Sequence, residues 1–171
     1  KDKIDTLFEL LCHIGAESTL IFCNNRESAE RVNELLGVRG VHNAYFHGGM
    51  DQLEREKTLV RFRNGSVLFL VASDLAARGL DIPDVKNVIH YHLPFKKPDF
   101  IHRNGRTARM NAEGVAYILL HTSESLPEFI PDRPPVLELP EAGQNRPPEP
   151  EWVTVYVSGG KKDKLSKGDI V

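Results

Sequence analysis

The segment His102-Arg103-Asn104-Gly105-Arg106-Thr107-Ala108-Arg109 sets three arginines at three-residue spacing around one glycine. In a helix those like charges would sit one turn apart and repel, each long side chain would lose rotamer freedom, and Gly105 would weaken the backbone. Binding to a partner explains such a segment better than local stability does. A polyphosphate is the candidate, because guanidinium is planar, permanently charged and forks onto phosphate oxygens. Two such groups on a transferring phosphoryl would neutralise charge developing in the transition state. A surface salt-bridge cluster is the plainer reading, and it suits Arg103 better than Arg106 or Arg109.

Other blocks carry residue types suited to phosphate chemistry. In Ala72-Ser73-Asp74-Leu75-Ala76-Ala77-Arg78-Gly79-Leu80-Asp81, small residues crowd together, Ser73 offers a hydroxyl, and Arg78 and Asp81 bracket Gly79. His47-Gly48-Gly49 allows close backbone approach, and Gln52 and Arg55 behind it share one helix face at i, i+3. Taken alone, that pair reads first as a solvated helix face. Asn24, Asn25 and Arg26 follow Phe22-Cys23 where a strand meets a helix N-terminus, whose N–H groups can hold a phosphate or merely be capped. His90 and His92, spaced by two, would share a strand face and could ligate a metal, but no third ligand is evident. No metal site is expected.

The elements that position these blocks alternate. Ile4, Leu7, Phe8, Leu11 and Ile14 recur at helical spacing and predict a first helix ending at Gly15. Residues 18–23 form an apolar run of strand length, followed by a helix with Ala29, Val32 and Leu36 inward. A strand is expected over 41–46, then a helix capped by Asp51 that carries Leu53, Leu59, Val60 and Phe62 and closes at Asn64-Gly65. Val67–Val71 is the strongest strand, with others at 85–91 and 115–120 and a helix starting near Pro98. Helices alternating with wholly apolar strands predict an α/β fold, a parallel sheet covered on both faces. Ligands of such sheets sit beyond the carboxyl ends of the strands, where the unusual residues fall.

Beyond Ser125 the character changes. Seven of the eleven prolines lie between Pro131 and Pro150, interleaved with acids, which predicts an extended linker. Residues 152–157 then alternate like a half-buried strand, followed by the basic turn Gly159-Gly160-Lys161-Lys162-Asp163-Lys164. The divisions expected are 1–130, 131–150 and 151–171. With 171 residues at 40% hydrophobic the chain can bury one core. A net charge of −2 gives no global basic footprint, so a nucleic-acid partner would need a local patch. Cys12 and Cys23 lack metal-ligand or disulfide-framework spacing and read as buried thiols of a reducing compartment. No apolar run approaches the ~20 residues that cross a bilayer. A cytoplasmic protein without membrane partners is expected, and the start without Met and stop at Val171 suit a piece of a longer chain.

The order of the blocks resembles the C-terminal RecA-like half of a DEAD-box RNA helicase over about residues 1–130. Phe22 to Arg26 resembles motif IV, Gln52 and Arg55 the QxxR motif, Ser73 to Asp81 motif V, and His102 to Arg109 motif VI. The resemblance implies a RecA-like parallel sheet with helices on both faces and an ATP-dependent helicase, an ATP hydrolase in the full-length protein, acting on RNA in ribosome assembly. Arg106 and Arg109 would be arginine fingers on ATP. Asp81, Arg78, Gly79 and His102 would belong to the nucleotide site, with Asp81 on the ribose, Arg78 linking the nucleotide and RNA sites, and His102 pairing across the cleft. Asn24, Arg26, Gly48, Gln52, Arg55 and Ser73 would contact the RNA backbone. Mg²⁺ and most of the ATP would be held by the N-terminal RecA-like half of the same protein, so this chain alone is expected to be inert. The implied partners are structured ribosomal RNA and that N-terminal half, in a monomer. A non-catalytic RNA clamp of the same fold is the alternative.

The sequence also departs from the family pattern. Ser73 stands for the usual Thr, Ala108 for a common Gly, and Asn104 for an aliphatic residue, which removes an apolar contact and is expected to loosen the helix. His90 and His92 stand where Asn and Asp are frequent. Residues 152–171 resemble the start of the RNA-binding domain appended to the DbpA branch of the family, which implies a truncated RRM-like segment there.

Overall fold

The computed structural model describes residues 2–74, 82, 84–107, 114–130, 132–159, 161–164, 166 and 168. Of the residues singled out above, Arg78, Gly79, Asp81, Ala108 and Arg109 lie outside the described residues.

Alternation is seen from the first helix onward. Helix α1 (Lys3–Ile14) stops at Gly15, whose φ of +76° suits a residue without Cβ and whose N–H closes on the Leu11 carbonyl. Strand β1 (Thr19–Cys23) leads to α2 (Arg26–Val38), started by Asn25, whose side chain accepts from the Ser28 N–H at 2.8 Å. Strand β2 (Asn43–Phe46) leads to α3 (Gln52–Arg63), capped by Asp51 through the Glu54 N–H at 2.9 Å. Strands β3 (Phe69–Ser73) and β4 (Asn87–His90), helix α4 (Lys97–Asn104) and strand β5 (Val115–Ile118) follow. β2 and β3 each start two residues later than expected, and β3 reaches Ser73, which places motif V at the strand's carboxyl end.

All ladders are parallel, and the order is β2-β3-β1-β4-β5. The central strands are apolar throughout because the sheet is covered on both faces. On one face Ile21, Cys23, Val71 and Ile89 join Leu7, Leu11, Val32 and Leu36 of α1 and α2. On the other, Leu20, Phe22, Leu70, Ala72 and Val88 meet Leu59 and Phe62 of α3. The period of two in side-chain direction thus becomes two cores, each filled by residues fully withdrawn from water.

One expectation, the strand at 152–157, needs correction here, and it bears on two apolar residues of α3. Leu53 and Val60 of α3 do not face the sheet; they are 47% and 43% exposed. They line a groove of about 260 Å³ whose other wall is Thr154, Val155 and Tyr156. Residues 152–157, expected as a strand, are extended but pair with none of the five strands. Among the described residues neither a free linker nor an RRM-like unit is visible; the proline-rich stretch lies against the domain.

Candidate active site

The carboxyl ends of four adjacent strands bring the blocks to one edge. Asn24 follows β1, His47-Gly48-Gly49 follows β2, Ser73 and Asp74 end β3, and His90 ends β4. In the register Cys23 lies beside Ser73, and Phe22 beside His90.

Arg103 holds this edge together. It projects from α4 and is fully buried. Its Nε and Nη2 donate to the two carboxylate oxygens of Asp74, each at 2.6 Å, a bidentate pair. Nη1 donates to the His92 carbonyl at 2.6 Å, Nη2 also donates to Asn24 Oδ1 at 2.9 Å, and the guanidinium carbon lies 5.0 Å from the Phe22 ring centre. Burying a cation is costly unless it is paired and hydrogen-bonded, and here both conditions are met. Asn24 in turn donates to the Leu93 carbonyl at 3.1 Å. One side chain therefore ties together the ends of β1, β3 and β4. Arg103 is structural, but the surface salt-bridge cluster expected of it is instead a buried pair. It also commits the Asn24 side chain to the protein interior, so a contact to a ligand at that position would be made by backbone.

Helix α4 ends at Asn104, with Gly105 as its C-cap. The arginines therefore do not line one continuous helix: Arg103 turns inward, and Arg106 lies in the turn beyond. Arg106 is 8% exposed, and its Nη2 lies 2.6 Å from His102 Nε2.

Asn104 does not loosen the helix. Its Oδ1 lies 2.7 Å from His90 Nε2, while His90 Nδ1 faces Arg103 Nη1 at 3.3 Å. Arginine can only donate, so Nδ1 is the acceptor and Nε2–H donates to Asn104; the imidazole is neutral. Both ring nitrogens are engaged, which removes His90 as a metal ligand, and His92 lies beyond the end of β4 rather than on it. The two departures from the family pattern at 90 and 104 are thus partners.

Burial pushes the His90 pKa from 6.5 down to about 4; the Asn104 hydrogen bond opposes that shift and the Arg103 charge adds to it. The unfolded chain takes up this proton near 6.5 and the folded chain only near 4, so the stability from His90 is full above the upper value and is lost as pH falls through the lower one. Between about pH 7 and 4.5 the native chain is expected to lose ~2.5 kcal/mol more unfolding free energy than a His90→Gln variant, as read from urea titrations at both pH values. Equal losses would remove His90 as the source.

The β2 end is built differently. His47 is buried; its Nε2 lies 2.7 Å from Glu30 Oε1 of α2, and its Nδ1 accepts from the Gly49 N–H at 3.0 Å. The imidazole thus shapes the loop and leaves Gly48 exposed. Arg55 packs over the Phe46 ring at 5.5 Å, and its Nε is buried without a hydrogen-bond partner. Gln52 is exposed and bonds Glu56 at 2.9 Å. Arg26 is exposed beside Glu27, its Nε 2.8 Å from the carboxylate. Ser73 is 4% exposed at its strand end. Sequence reasoning missed Asp74 as the partner of Arg103, His47 as the brace of its loop, and the His90–Asn104 pair. Asp74 beside Ser73 was the one available signal.

The helicase conserved C-terminal domain model matches residues 2–111. The chain belongs to that family. Within it, the DEAD-box branch is where its similarities lie. ATP-dependent RNA helicase DbpA of Escherichia coli strain K12 is 35% identical over 179 aligned residues, which take in all of this chain and 38% of that protein. The chain thus spans about two fifths of that relative's length. The C-terminal domain of the DEAD-box protein Dbp5 superposes with a TM-score of 0.64 at 33% identity, covering 71% of each chain. Saccharomyces cerevisiae Dbp5 bound to RNA and ADP BeF3 gives a TM-score of 0.63 at 35% identity, covering 71% of this chain and 33% of that one. The RecA-like fold expected from the DEAD-box motifs is therefore present, and the sheet edge described above is where the described parts of those motifs meet.

Proposed function

We propose that this chain is the C-terminal half of an ATP-dependent DEAD-box RNA helicase and supplies one wall of both its sites. The observation that carries the reading is the convergence of four motif blocks on one sheet edge, held by the buried Arg103–Asp74 pair. In this reading Arg106 and Arg109 are the fingers on the triphosphate, whose charge and oxygens suit guanidinium, Asp81 binds the ribose, Arg78 and Gly79 complete the nucleotide site, and His102 pairs with the other half. Mg²⁺ is assigned to the N-terminal half. Gly48, Gln52, Arg55, Ser73 and the Asn24–Arg26 turn face RNA. Contacts of these kinds address phosphate and sugar rather than base edges, which suits sequence-independent grip. The RNA proposed is structured ribosomal RNA, in the cytoplasm, with residues 151–171 opening a further RNA-binding region after the proline-rich stretch.

Arg55 gives the sharpest test of the RNA wall, because its Nε has no hydrogen-bond acceptor within the described structure. In the protein carrying both halves, Arg55→Gln is expected to weaken binding of unrelated RNA sequences uniformly and to lower the salt slope of log affinity by about 1. Titration of RNA at several salt concentrations measures this. An unchanged slope would remove Arg55 from the RNA site.

A further inference from the structure

The proline-rich stretch makes a series of contacts that a free tether would not make. Residues 133–139 lie along β5 and α1, with Leu139 packed on the core that α1 and α2 share. The Asn145 carbonyl receives the Cys12 thiol of α1 at 3.7 Å. Arg146 then crosses the turn after α2: a Cβ on Gly40, which has φ +77°, would stand 3.1 Å from Arg146 Nη1. Pro147 is buried. Next, Trp152 reaches the turn that closes α3, with its Cδ1 3.9 Å from where a Gly65 Cβ would be. Thr154 Oγ1 sits 2.6 Å from the Ser66 hydroxyl and 3.4 Å from Asn64 Nδ2, and the Tyr156 ring lies 4.6 Å under Lys57 Nζ.

These contacts have a direction. α3 enters β3 at its C-terminal end, so Asn64 and Ser66 lie at the side where strands begin. Thr154 touches that end, and Tyr156 touches Lys57, further toward the N-terminus of α3 where Gln52 and Arg55 stand. The stretch passes beneath the sheet and then climbs the outer face of α3. This explains why Leu53 and Val60 point outward: they line the groove that the segment borders. Proline suits such a path, because a chain with φ already fixed loses less entropy on being held extended.

We propose that residues 133–157 are a fixed strap, and that the outer face of α3 is the docking surface for this chain's own 152–157 segment. The partner of that surface is an extended stretch with a hydroxyl at 154 and an aromatic ring at 156. The consequence is that the basic turn at 161–164 is coupled to the helix carrying Gln52 and Arg55 instead of swinging freely. The docking stands on these contacts alone; only its bearing on RNA rests on the proposed function.

Disulfide trapping tests it on the 171-residue chain. Ser66→Cys with Thr154→Cys is expected to form the 66–154 disulfide quickly and nearly completely in mild oxidant, as read by peptide mass mapping. Ser66→Cys with Ser158→Cys, about 13 Å further along an extended chain, is expected to react far more slowly. Comparable rates for the two pairs would overturn the strap. The native chain supplies an independent reading, because Trp152 is its one tryptophan. Its fluorescence anisotropy is expected to decay with the tumbling of the whole domain, and Thr154→Ala with Tyr156→Ala is expected to release it into fast local motion. Fast local motion already present in the native chain would contradict the docking, whatever the outcome for RNA binding.

Discussion

Replacing Asp74 with alanine is expected to lower the unfolding free energy of this chain by about 3–5 kcal/mol, the range for breaking a buried ion pair from one side. The magnitude follows from asymmetry. Asp74 keeps 24% of its side chain exposed, whereas Arg103 keeps none, so removing the carboxylate strands a cation with no route to water. Nε, and one of the two bonds of Nη2, would lose their acceptors. Arg103→Met removes the charge but leaves Asn24 Oδ1 and the His92 carbonyl without their donor, at a cost of about 1–3 kcal/mol each. Because the two residues form one unit, Asp74→Ala with Arg103→Met is expected to cost less than the sum of the single changes, with a coupling of about 2–3 kcal/mol. Urea unfolding of the four chains measures the cycle. Additive costs would show that the pair does not act as a unit.

Much of the fold was legible because its signals are local. The apolar runs of β1 and β3 are buried on both faces, so composition alone marks them, and Asn25 and Asp51 cap α2 and α3 through contacts three residues away. What escaped depends on pairings distant in sequence. Arg103 and Asp74 are 29 residues apart, and Thr154 and Ser66 are 88 apart. At about 100° per residue, Leu53 and Val60 fall on the side of α3 away from Leu59 and Phe62, where spacing alone gives them no neighbour. Their true neighbour is a segment almost a hundred residues downstream, which no window of one or two helical turns contains. The same limit hid the meaning of His90 and Asn104, each read singly as a departure and in fact bonded to the other. At the arginine segment, spacing pointed to phosphate but could not show that α4 stops at Asn104 and sends Arg103 and Arg106 into different surroundings.

That division of the arginines frames the second large effect. Arg103 is bound to Asp74, Asn24 and a backbone carbonyl, and the proposed reading gives the finger roles to Arg106 and Arg109. An arginine finger acts on charge that develops only in the transition state, so its removal lowers turnover much more than ground-state binding. Arg109→Ala, in the protein carrying both RecA-like halves, is therefore expected to cost about 10³-fold or more in turnover. RNA affinity should be retained, because the proposed reading assigns RNA to Gly48, Gln52, Arg55 and Ser73 rather than to Arg109. A salt-bridge role for Arg109 would instead lower the unfolding temperature and leave turnover per folded molecule unchanged.

The most direct measurement is RNA-stimulated ATP hydrolysis by that protein, native and Arg109→Ala, at saturating ATP and RNA and normalised to folded protein. The account predicts a fall of about 10³-fold in turnover with RNA binding preserved. Native turnover in the variant would contradict the claim that this sheet edge is half of an ATPase site.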